Sequence, residues 1–225
     1  MLFDLRGAGR LRTIKVIYIT LAFLMGGGLV LFGIGGEVSG GLVDAITERG
    51  SGDDGSDRFR DQEKAALART KANPQDAPAW AALARARFQL AGIGENFDPE
   101  KGTFTKAGRA KLAAAGAAWE SYLGLEPKQP DDRVASLMVQ AYGALGDPAK
   151  AATAQEVITD ARPTASTFTQ LAVFAYQAGQ TRKGDLAKDK ALELTEPDMR
   201  EALKGQLESA KQSAAGAAAQ PTATP

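Results

Sequence analysis

A chain of 225 residues has room for one domain of ordinary size plus a further segment. Lys+Arg and Asp+Glu both total 27, so the balanced charge gives no global pull toward nucleic acid or acidic lipid. With no Cys and no His, disulfides, thiolate nucleophiles, haem attachment, Cys/His zinc sites and His-based acid–base catalysis are all excluded. Aromatics make up only 7% and Ala and Gly are frequent, which suits closely packed helices better than a large β-core and predicts an all-α chain.

The first element predicted is a membrane helix over 16–36, the uncharged apolar run VIYITLAFLMGGGLVLFGIGG between Lys15 and Glu37. About 20 such residues span a bilayer, and no polar stripe interrupts the run at a helical period, as it would in a buried soluble helix. No Ala-x-Ala site follows, so an uncleaved signal-anchor is expected rather than a removed signal peptide. Arg6, Arg10, Arg12 and Lys15 precede the run against Asp4 alone, whereas Glu37, Asp44, Glu48, Asp53, Asp54 and Asp57 follow it with only Arg49 opposing. Retention of basic flanks in the cytoplasm then places residues 1–15 inside, and makes this a single-pass protein of the cell membrane with an exported C-terminal domain. Ala22 and Gly26 form a small-xxx-small pair, with Gly33 further along the same face, which offers a packing surface to a second membrane helix.

Residues 37–57 are too Gly- and Asp-rich to pack a core and are expected to form a flexible linker. The uncharged tail SAAGAAAQPTATP, 213–225, is expected to be disordered, leaving a folded domain at 58–212.

That domain carries an internal period. A shift of 34 residues lays Ala141-Tyr142 on Ala175-Tyr176 and brings Gly146-Asp147 close to Gly179-Gln180. Pro127, Pro163 and Pro197 recur at spacings of 36 and 34, each just after an apolar stretch where a helix should stop. Trp80 and Phe168 lie 88 positions apart, two periods of 34 with about 20 residues to spare. The extra length falls at 91–108, AGIGENFDPEKGTFTKAG, whose turn sequence Asp98-Pro99-Glu100-Lys101-Gly102 between Asn96-Phe97 and Thr103-Phe104 predicts a short hairpin, with Thr105 capping the returning helix. A lone helix at 58–72 precedes the repeats, and a capping helix at 198–212 with Met199, Leu203 and Leu207 on one face follows them, for eight helices in all.

The spacing resembles the tetratricopeptide repeat (TPR), a 34-residue pair of antiparallel helices. Trp80, Leu83, Ala84, Ala115, Trp119, Tyr122, Leu125 and Pro127 match its pattern in a first repeat. Met138, Val139, Tyr142, Gly146, Asp147, Ala151, Ile158 and Pro163 match a second, although Ala135 stands where a bulky residue is usual. Phe168, Leu171, Ala172, Tyr176, Gly179, Ala191, Leu192 and Pro197 match a third, with Gly184 in place of the customary Ala. The likeness covers about 120 residues and implies an α-solenoid of three repeats with the hairpin inserted in the first. It also resembles, in architecture, membrane-anchored TPR proteins of the bacterial envelope.

Catalytic motifs are wanting. The glycines at 26–28 lie inside the apolar run with no Lys-Ser or Lys-Thr behind them, so they form no phosphate loop. Asn96, Asp98 and Glu100 alternate like calcium ligands, but Gly102 comes one place late and Ala107 stands where the closing Glu belongs. Asp131-Asp132 beside Pro130 is a helix start, and Trp80, Trp119 and Tyr122 occupy packing positions of the repeat rather than a ligand cage. No enzyme activity, cofactor or metal is expected.

Binding is what remains. In the TPR family the first helix of each pair lines a groove, and the resemblance assigns groove positions to Arg85, Phe88 and Gln89, then Arg133, Ser136 and Gln140, then Thr169, Val173, Tyr176 and Gln177. Such a lining suits an extended peptide or a helix of a protein partner in the cell envelope. The leading expectation is therefore a membrane-tethered interaction scaffold or co-chaperone acting outside the cytoplasm. The alternative is a structural subunit of a larger membrane complex held by its transmembrane helix.

Overall fold

Carboxylates and hydroxyls set where most of the helices begin. A computed structural model describes residues 54–218, which form eight helices and one two-stranded hairpin. Helix α1 spans Asp54–Ala72 and α2 spans Ala77–Ala91, where Asp76 accepts the Ala79 amide as N-cap and Pro78 occupies the first turn. Arg69 near the end of α1 donates twice to the same Asp76 carboxylate, at 3.1 and 2.8 Å, so one cap also fixes the corner between two helices.

A 3₁₀ turn at Gly94–Asn96 leads into β1 (Phe97–Asp98) and β2 (Thr103–Phe104), paired antiparallel with Phe97 opposite Phe104. The two rings meet edge to face at 5.3 Å. The Asp98 carboxylate closes the turn by accepting the Glu100 and Lys101 amides and the Lys101 ammonium, which holds its carboxyl below the usual carboxylate range. Thr105 then caps α3 (Lys106–Leu123) through the Gly108 amide. Gly108 is where the hairpin base meets the helix: a Cβ there would lie 1.9 Å from the Asn96 carbonyl oxygen.

Asp131 caps α4 (Asp132–Leu145) through the Arg133 and Val134 amides, and its own amide donates to the Tyr122 hydroxyl at 2.9 Å. Gly146 ends α4 in the left-handed region at φ 76° and Asp147 caps α5 (Pro148–Ala161) at once, so two residues reverse the chain. Thr164 and Thr167 form a reciprocal capping box for α6 (Ala165–Gln177). Helix α7 spans Thr181–Glu193, and α8 spans Arg200–Ala218.

Each helix packs on the next, from α1 to α7. Helices α2 and α4 also touch, while α8 lies against α6 and, less extensively, α7. The core falls into two clusters. The first joins α1 to α5 around Leu83, Leu112, Trp119, Val134 and Met138, with many Ala between them that let the helix backbones approach closely. The second gathers Ala152, Leu171, Ala172, Tyr176, Ala187 and Leu207. Phe174 packs against both.

Expected and observed boundaries differ at the two ends. Asp54–Asp57, expected in the linker, are helical, and the Asp57 carboxylate near the start suits the positive end of α1. Residues 213–218, expected in the tail, continue α8, since Ala is the best helix former and Ala214 still touches the second core. In α8, Leu203 and Leu207 pack inward as expected but Met199 is 58% exposed, because it precedes the first turn of the helix. Trp119 and Tyr122 are core residues, and Trp80 packs beside them with its indole N–H on the Pro74 carbonyl. The apolar run 16–36 with Ala22, Gly26 and Gly33, most of the linker and residues 219–225 lie outside the described residues. Among those described, no helix is long and apolar enough to cross a membrane.

Candidate binding face

The ten positions assigned to a groove separate by exposure. Arg85, Arg133, Gln140 and Gln177 are exposed, on α2, α4 and α6. Arg85 bridges to Asp131 at 3.2 Å, tying α2 to the cap of α4, whereas the side chains of Arg133, Gln140 and Gln177 make no hydrogen bond or ion pair among the described residues. Gln177 also borders a small cleft of about 90 Å³ with Gly143, Pro148 and Phe174, which sets the end of α6 beside the end of α4.

The other positions face inward or inward in part. Phe88 is 5% exposed and belongs to the first core; Tyr176 is 3% exposed and belongs to the second. Neither offers its side chain to a ligand, because a helix of 3.6 residues per turn carries them round to the buried stripe while the neighbouring Gln89 and Gln177 sit at its edge. Gln89 is half-buried with its carbonyl oxygen enclosed and unpartnered among the described residues. Ser136 and Thr169 turn their hydroxyls back to the Asp132 and Ala165 carbonyls, and Val173 packs on the second core.

Tyr142 and Tyr176, one repeat period apart, both lay their rings on a glycine yet reach opposite neighbours. Tyr142 leans on Gly116 of the preceding α3, where its hydroxyl lies 3.3 Å from the Gly116 carbonyl and 3.2 Å from Glu120. Tyr176 leans on Gly184 of the following α7 and donates to Asp185 at 2.9 Å. A lysine completes each group: Lys150 pairs with Glu120, and Lys211 of α8 pairs with Asp185, each ammonium 5.8 Å from the tyrosine ring. Burial first, and then the adjacent carboxylate, raises both phenols well above the usual tyrosine value. The Lys211 and Tyr176 hydrogen bonds hold Asp185 below the usual carboxylate value, and the Lys188 ammonium does the same for Glu208. Lys150 and Lys188 are raised by Glu120 and Glu208 in turn. Each of these groups is thus held in its ordinary charge state at neutral pH.

A second opening went unforeseen. A broad cleft of about 790 Å³ lies where α5, α6 and α7 meet, floored by Phe168, Leu171 and Ala187 and edged by Glu156, Arg182 and Leu186. Lys183 closes part of its rim on Glu156 at 2.7 Å. Its only sequence signal is Leu186, an isolated large apolar residue in the polar first turns of α7, and it is 64% exposed.

No family model matches the chain, and no curated protein or solved structure matches it.

Proposed function

We propose that this chain is a membrane-tethered interaction scaffold of the TPR type, holding a protein partner on the face lined by Arg133, Gln140 and Gln177. The observation that carries the reading is the uncommitted state of those three side chains on α4 and α6. Uncommitted amides and a guanidinium on rigid helices are ready to pair with an extended main chain or a helix, at no cost in broken internal bonds. Paired helices joined by short reversals, with the first of each pair carrying these groups, support the repeat assignment. The absence of Cys and His supports binding over catalysis. The apolar run 16–36 and its asymmetric flanks support an anchor with the repeats on the outer side of the membrane. Tethering raises the local concentration of a weak binder, so modest affinity suffices.

In-cell photo-crosslinking from Gln140 and Gln177 tests the face directly, with a defined protein captured at both positions as the expected result. Pull-downs with the intact chain and with residues 1–57 alone separate this reading from a structural subunit held by its membrane helix. Retention of the same partners by residues 1–57 would sink the groove model. A reporter active only outside the cytoplasm, fused after residue 57, tests the topology, and an inactive fusion would refute it.

A further inference from the structure

The outer face of α7 carries a charge pattern that is complementary to itself. Arg182, Leu186, Asp189 and Glu193 follow one another at spacings of 4, 3 and 4, the helical spacing of one side, and all four are exposed. The stripe runs from basic through apolar to acidic. Arg182 has no side-chain partner among the described residues, and Glu193 is held only by an exposed contact to Lys190, of a kind worth little. The three large apolar side chains that stand out as exposed among the described residues, Leu186, Leu194 and Met199, all fall within this helix and the turn after it. Single exposed apolar residues are ordinary, but their confinement to one end of the array is not. The face borders the broad cleft at Leu186, and α8 leaves it uncovered.

We propose that α7 is a self-association face, on which two copies of the chain pair their α7 helices antiparallel about a two-fold axis between Ala187 and Lys188. Such an axis sets Arg182 of each copy against Glu193 of the other and Leu186 of each against Asp189 of the other, which leaves the two Leu186 side chains about 4.5 Å apart along the helices, within reach of each other beside the cleft margins. A second copy is favoured over a foreign acidic peptide by the charges themselves. An acidic peptide would satisfy Arg182 but meet Asp189 and Glu193 with like charge, whereas a reversed copy satisfies both ends. One helix face and a turn per copy lie at the small end of interface sizes, so the association is expected in the range of about 10–100 μM. It is independent of the groove on α4 and α6.

The test uses the full chain in detergent micelles, followed by sedimentation velocity and chemical crosslinking over that concentration range. The expected result is a reversible dimer that weakens as salt is raised. Arg182→Glu and Glu193→Arg are each expected to weaken it by about tenfold or more, because each homodimer then sets like charges together. Mixing the Arg182→Glu chain with the Glu193→Arg chain is expected to restore association as a heterodimer, since both contacts become attractive again. Helical circular dichroism and melting temperature should be unchanged in both. A chain that stays single at 100 μM, a dimer equally populated in both single variants, or a mixture that fails to recover would each overturn the proposal. Capture of an acidic peptide by the cleft of a chain that stays single would overturn it as well.

Discussion

The ring of Tyr176 rests on the backbone of Gly184 so closely that a Cβ at 184 would meet its Cε1 at 2.4 Å. Gly184→Ala must therefore push the ring aside, and with it the hydroxyl that reaches Asp185. Overpacking of this kind costs about 1–3 kcal/mol, offset by about 1 kcal/mol from replacing a helical glycine. Net destabilisation by urea melts is the expected outcome. Gly205→Ala in α8, where a Cβ meets nothing within 4 Å, should instead stabilise by up to about 1 kcal/mol. Equal effects at the two sites would contradict the packing described.

Glu63 of α1 receives Arg87 of α2 at 3.1 Å and Lys111 of α3 at 3.0 Å, so one carboxylate joins three helices. Arg87 also donates to the Ala114 carbonyl and is only 19% exposed, which leaves it poorly solvated if its partner is removed. Glu63→Ala is expected to cost about 1–2 kcal/mol, with the loss concentrated in the attachment of α1. Hydrogen exchange should show α1 opening before α2; unchanged protection would count against the bridge.

Acid should loosen α8 first. Asp185 and Glu208 are held below their ordinary values of 3.8 and 4.5 by Lys211 and Lys188, on the contacts that join α8 and α7. A depressed carboxylate contributes stability that is complete above its ordinary value and disappears as pH falls through the folded one. Amide protection in α8 should therefore fall below those pH values while α4 and α5 keep theirs. The double variant Asp185→Asn with Glu208→Gln should show the loosened α8 already at neutral pH. Uniform loss of protection along the chain would refute a local linkage.

Arg133→Glu combined with Gln140→Glu should leave the melting temperature within a degree or two, because both side chains are exposed and unpaired among the described residues. If the proposed face is used, the same double variant should lose the protein crosslinked at Gln177. Undiminished capture would move the binding site elsewhere.

Gln155 is fully buried, donates to the Thr167 carbonyl at 3.2 Å, and keeps an enclosed carbonyl oxygen without a partner among the described residues. The Thr159 hydroxyl also reaches the Thr167 carbonyl, at 3.3 Å. Gln155→Met removes the unsatisfied acceptor while that carbonyl keeps a donor, so stability should be unchanged or raised by about 1 kcal/mol. A loss of more than about 2 kcal/mol would show that the amide has a partner of its own.

Helix ends were the most legible part of the sequence, because their chemistry is local. Pro127, Pro163 and Pro197 follow helix ends, Thr105 and Asp131 cap helix starts, and the Asp98-to-Gly102 segment turns a hairpin, although its first strand is Phe97–Asp98 rather than Asn96-Phe97. Which side of a helix a residue occupies was harder to read. Phe88 and Tyr176 sit one position from exposed or half-exposed neighbours, and a single step round a helix turns a side chain by about 100°. Partners were not legible at all: Tyr142 and Tyr176 hold equivalent positions in the repeat, yet one reaches back to Glu120 and the other forward to Asp185. Such choices depend on where glycine leaves room, at 116 on the helix before and at 184 on the helix after. The cleft beside Leu186 arises from three helices meeting, which no local pattern encodes.

The Phe174 ring of α6 packs on both cores and Ala152 of α5 belongs to the second, so the two clusters meet between α5 and α6. Tension pulled along the array would therefore not strip the helices one by one. It would part the domain at this ring, releasing α6, α7 and α8 as a block while α1 to α5 hold, so the molecule should lengthen in two steps with the smaller piece yielding first.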